Sequence, residues 1–92
     1  MPAFHFHPTP NPNSMKITLS EGTFIADGML SFAGAEAARD HPLGAALFAV
    51  EGVTNVFILP QFLTITKTPD ADWDALMEAV TAVLARHFEA DG

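Results

Sequence analysis

Few side chains in this sequence could do chemistry, and their types narrow the choices early. The chain has no cysteine, which rules out thiolate ligation of a metal and thiol catalysis by its own residues. No Gly-x-Ser-x-Gly elbow occurs, and the serines and threonines fall on strand-like runs or turns without the His and Asp order of a triad. The four histidines are the remaining soft donors. His5 and His7 are two apart in an alternating run, so on a strand both project from one face, as a bis-histidine metal site requires. A third ligand, such as a nearby carboxylate, would have to come from elsewhere. The plainer reading is two polar residues on the wet face of an edge strand. His41, before Pro42, reads as a helix cap, and His87 reads as a positive partner for a helix C-terminus. Asp70, Asp72 and Asp74 bracket a helix start and look like caps rather than a general acid–base pair, because no apolar pocket flanks them to raise one pKa. Gly22, Gly28, Gly34, Gly44 and Gly52 are scattered and form no phosphate cradle. The chain is therefore expected not to be an enzyme.

Composition narrows the partners. Four Lys+Arg against eleven Asp+Glu give a net charge of −7, and Lys16, Arg39, Lys67 and Arg86 do not cluster. Such a surface repels nucleic-acid phosphates and anionic membranes. No apolar run reaches the ~20 residues of a spanning helix. Met1-Pro2-Ala3-Phe4-His5 lacks the basic start of a secretory signal. The cytoplasm is the expected compartment, and a processed mitochondrial matrix protein would have the same composition. A hydrophobic share of 49% with eight Phe and no Tyr points to aromatic rings used for filling.

The elements that must position these residues can be read from periodicity. Phe4-His5-Phe6-His7 and Met15-Lys16-Ile17-Thr18-Leu19 alternate apolar and polar side chains, the sign of half-buried strands. Between them Pro8, Pro10 and Pro12 forbid helix and ladder, while the asparagines favour Asx turns. A hairpin is expected. Met29-Leu30-Ser31-Phe32 reads as a short optional strand, and Gly34 to Arg39 as a helical turn. Pro42 opens a helix with Leu43, Ala46, Leu47 and Val50 on one stripe, and Gly52 ends it. Val53 to Leu59 and Phe62 to Lys67 form a second hairpin around Pro60-Gln61. Asp70 or Asp72 caps a last helix whose stripe is Trp73, Leu76, Met77, Val80, Val83, Leu84 and Phe88. Ala90-Asp91-Gly92 should fray. The predicted fold is α+β in two layers: an antiparallel-rich, mixed sheet with two helices on one face, in the order β-β-(β)-α-β-β-α. The connection through the first helix leaves room for a parallel pair. One domain spans residues 1–92, with its ordered core over 4–88, and a monomer is expected.

Two features exceed what core building needs. The first is the loop Thr9, Pro10, Asn11, Pro12, Asn13 and Ser14, which is either a turn bonded to its own backbone or a contact surface. The second is the hairpin around Phe57, Leu59, Pro60 and Phe62. Its apolar tip is either covered core or an exposed docking edge.

The same residues carry a resemblance. Thr9 to Lys16 resembles the TPNPNS-[LM]-K signature of the Nfu/NifU N-terminal domain family. His41-Pro42-Leu43 is similar to that family's S-P-L, and Leu47 to Val53 to its L-F-x-[IV]-E-G-V, followed by Val56-Phe57. Phe62 to Lys67 resembles D-F-I-T-V-T-K, and Asp72-Trp73 with Leu76 resembles D-W-x-x-L. These blocks lie in the family's order across residues 4–88. Two departures stand out. His41 replaces the usual Ser, which should weaken the cap, and Leu59-Pro60-Gln61 stands where the family often has Gly-Pro-Asp.

The resemblance implies a role in iron–sulfur cluster biogenesis. In longer members a separate Cys-x-x-Cys domain holds the cluster, and the N-terminal domain contributes partner contacts or orientation. No Cys-x-x-Cys occurs in this sequence, so no cluster ligand carries over and no cofactor is expected in this chain. The expectation is a stand-alone domain that binds a protein of the pathway, either a cysteine-bearing scaffold or a client on another chain. Thr9 to Ser14 and Phe57 to Phe62 would be the contact surfaces. Weak iron or transition-metal binding through His5 and His7, or binding unrelated to clusters, is the alternative.

Overall fold

The computed structural model describes residues 3–91. The alternating N-terminal run forms β1 (Phe4–Pro8), and the chain returns through the proline loop as β2 (Ser14–Leu19). Phe4 pairs with Leu19 and Pro8 with Met15. An irregular segment leads to β3 (Leu30–Phe32), α1 (Ala35–Ala38) and α2 (Pro42–Phe48). The second hairpin is β4 (Val53–Ile58) and β5 (Phe62–Lys67), and α3 (Trp73–Asp91) closes the fold. Ala90 and Asp91 fall within the bounds of α3. Gly92, like Met1 and Pro2, lies outside the described residues.

The strand order is β1-β2-β5-β4-β3. Every neighbouring pair is antiparallel, so the parallel pair allowed for is absent among the described strands. The chain leaves β3, passes through α1 and α2, and comes back beside β3 in the opposite direction. A parallel partner would have required a crossover to the far end.

One face of the sheet takes the core. Leu43 and Leu47 of α2 and Val80 and Leu84 of α3 pack with Ile17, Val56, Ile58, Leu63 and Ile65. Each such side chain contributes about 1.5–3 kcal/mol by leaving water. The register sets the phase: Ile17 opposes Leu63, and Val56 opposes Ile65.

Local chemistry fixes α2. His41 Nδ1 accepts the Gly44 N–H at 3.0 Å, and Pro42 occupies the first turn. The imidazole therefore caps the helix, as the position of His41 before Pro42 suggests. Its ring lies 5.6 Å from that of Phe32. Gly44 allows the approach of β3, since a Cβ there would lie 2.9 Å from Phe32 Cε2. Asp72, rather than Asp70, caps α3: its carbonyl accepts from Leu76 N–H at 3.0 Å and its Oδ1 from Asp74 N–H at 3.3 Å. No helix is long and apolar enough to cross a membrane among the described residues.

Candidate functional site

The proline and asparagine loop is a network closed on itself. The Thr9 hydroxyl donates to the Asn11 carbonyl at 2.8 Å and accepts from Asn11 N–H at 3.1 Å. Asn11 Oδ1 accepts Asn13 N–H at 2.9 Å, and the Asn11 carbonyl accepts Ser14 N–H at 3.0 Å. These are Asx and Ser/Thr turns, in which a side chain stands in for a backbone partner. Prolines that cannot donate leave the turn to these bonds.

Two residues beyond the loop brace it. Lys67 is only 7% exposed. Its ammonium donates to Asn13 Oδ1 at 3.2 Å, the Thr68 carbonyl at 3.2 Å and the Pro69 carbonyl at 3.5 Å. Its backbone N–H bonds the Asn13 carbonyl at 2.8 Å. Trp73 Nε1–H donates to the Pro12 carbonyl at 2.9 Å, with the Lys67 ammonium 5.6 Å from the indole centroid. The Ser14 and Thr66 hydroxyls join at 2.9 Å. The loop is thereby fastened to β5 and α3, with Pro10, Asn11 and Pro12 facing solvent. It carries no ionisable group, so what it offers is shape, proline rings and one amide.

Sequence reasoning did not single out Lys67 or Trp73 as braces. The signal for Lys67 was its phase, since it lies on the same face of β5 as the buried Leu63 and Ile65. Trp73 gave a weaker signal, an indole N–H that needs a partner when half-buried.

The second contact region lies elsewhere. Ser14 opposes Thr66 at one end of the β2–β5 pair, and Thr18 opposes Phe62 at the other. The loop of residues 9–13 and the β4–β5 turn therefore sit at opposite ends of the sheet. At that turn Leu59 and Pro60 are half-buried and Gln61 is exposed, and Leu59 N–H bonds the Phe62 carbonyl at 2.8 Å. The segment before β3 lies against it: Phe24 is 5% exposed and its N–H bonds the Pro60 carbonyl at 2.8 Å. Phe57 and Phe62 are half-buried on the sheet face away from the helices.

His5 and His7 share that open face and are exposed, with His7 Nε2 2.9 Å from Thr18 Oγ1. Among the described residues no group of three His, Cys, Asp or Glu is placed to hold a metal ion.

These blocks, assembled into one fold, agree with a known family: residues 4–91 match the one described as scaffold protein Nfu/NifU N terminal. The chain belongs to the Nfu/NifU N-terminal family. NifU-like protein 5, mitochondrial, of Arabidopsis thaliana is 38% identical over 89% of this chain and 30% of its own length. The human NFU1 iron-sulfur cluster scaffold homolog, mitochondrial, is 33% identical over 96% of this chain and 39% of its own. The Nfu/NifU N-terminal chain thus spans between 30% and 39% of these two relatives. A solution structure of a NifU-like protein from Saccharomyces cerevisiae superposes with a TM-score of 0.84 at 23% identity, covering 99% of this chain and 81% of that one. That likeness carries the fold.

Proposed function

We propose that this domain is a non-catalytic interaction module of iron–sulfur cluster assembly or transfer, acting on a cysteine-bearing scaffold or a client on another chain. The observation that carries the reading is the braced loop. A surface segment whose own polar groups are already bonded, and which is tied to β5 and α3, is preorganised and loses little entropy when a partner docks. Pro10, Asn11 and Pro12 are its outward residues. The names of the relatives supply the pathway. The donor set does not fit an iron–sulfur cluster, since such clusters are held by cysteine thiolates and this chain has none. In this reading the cluster is a partner's cargo, and the domain works as a monomer in the cytoplasm or the mitochondrial matrix.

The test is a titration of isotope-labelled protein with apo and cluster-loaded scaffold, following backbone amides. Saturable movement at residues 9–14 or 57–62 is expected. Silence at both regions at high scaffold concentration would overturn the reading.

A further inference from the structure

The two regions named for partner contact lie at opposite ends of the sheet, and what runs between them is the sheet face that no helix covers among the described residues. An antiparallel sheet can leave one face to water, and threonine is ordinary there. Two features of this face are not ordinary. Phe57 and Phe62 stand on it half-buried. It also carries no carboxylate: none of the five strands holds an Asp or Glu, in a chain with eleven.

The one charge it does carry is the Lys16 ammonium, with the His5 and His7 rings on the neighbouring edge strand. Register puts His7 beside Lys16, Lys16 beside Thr64, and Thr64 beside Phe57. A second row runs from His5 through Thr18 to Phe62. The Lys16 ammonium lies over the Phe62 ring, 4.6 Å from its centroid, with no acid on the strands around it.

We propose that this face docks an amphipathic helix of a partner protein, its apolar stripe on Phe57, Phe62 and Thr64 and its carboxylates against Lys16, His5 and His7. The proposal rests on the interaction-module reading and names the partner's chemistry. Helices are what sheets of this kind pack against, as α2 and α3 do on the other side. Charge complementarity selects an acidic helix over a basic one. The net charge of the whole chain opposes its approach, but that field is screened beyond about 8 Å at physiological ionic strength, so the local charge decides the contact.

The experiment uses the intact chain, isotope-labelled, and two synthetic helical peptides. One has leucines at i, i+3, i+4 and i+7 flanked by glutamates, and the other has glutamine at each glutamate. The glutamate peptide should move amides of His5, Lys16, Phe57 and Phe62 saturably. The glutamine peptide, and the Lys16→Glu variant with the glutamate peptide, should bind about two- to fivefold more weakly, the scale of one exposed ion pair. Lys16→Gln, a milder change, should fall between. Equal binding of both peptides overturns the proposal, as do shifts confined to the edge of β1 or to residues 9–14. A run with cluster scaffold separates the two readings. Scaffold binding at residues 9–14 with a face silent to the glutamate peptide removes this proposal alone. Docking of the peptide with no scaffold binding keeps the surface and removes the assembly role.

Discussion

At the scale of single residues, Lys67 carries the most consequence. Its buried ammonium bonds only neutral oxygens, so it stabilises the loop by filling acceptors rather than by pairing charge. Lys67→Met keeps the apolar stem but leaves Asn13 Oδ1 and two carbonyls without their donor, at a cost of about 1–3 kcal/mol. Asn13→Ala should cost less, and the double variant less than the sum, because both remove one bond. Urea unfolding of the four proteins checks this, and full additivity would deny the brace. His41 offers a second case. His41→Ala should lose about 1 kcal/mol of stability, as a missing N-cap does, and His41→Ser should recover most of it. Thermal unfolding of both reads the difference. The His41 cap is local, with its partner three residues on, but the braces of the loop are not. The Lys67 partner Asn13 is 54 positions away and the Trp73 partner Pro12 is 61, beyond the reach of any periodicity.

At the scale of elements, what was legible depended on range. Period-2 runs such as Phe4 to His7 and Phe62 to Lys67 announce strands because each residue's face is set by its neighbours. Pro42 and the stripe from Leu43 announced α2 for the same reason. Strand order was not legible, since which strands pair is decided by non-local burial, and the parallel pair left open by the first helix does not form. Whether the tip at Pro60 is covered was not legible either, for the contact there comes from Phe24 in a segment without period. The turn after α2 is a place where local rule and packing agree. Gly52 has a φ of 99°, and a Cβ on it would lie 2.9 Å from that of Ala71. Gly52→Ala should destabilise by more than about 1 kcal/mol, since both the backbone and the contact oppose it. A shift of the urea midpoint at unchanged slope checks it; an unshifted midpoint would mean the turn relaxes freely.

Over the whole molecule, charge is segregated. The strands carry no carboxylate, so the eleven acids crowd the helices, loops and termini, where a net −7 acts against the compact state. Salt shortens the screening length from about 10 Å at 0.1 M to about 3 Å at 1 M. Folding should therefore strengthen as sodium chloride rises, with the urea midpoint moving up at constant slope. A protein held by surface ion pairs would move the other way. Docking of an acidic helix on the open face should respond with the opposite sign, because there salt screens an attraction between Lys16 and the partner's carboxylates. One salt series, read for unfolding in the free protein and for peptide affinity in the complex, separates the two. If both quantities rise with salt, burial of Phe57 and Phe62 drives the contact and Lys16 contributes nothing to it. If stability rises while affinity falls, the same uneven placement of charge that strains the fold also selects its partner.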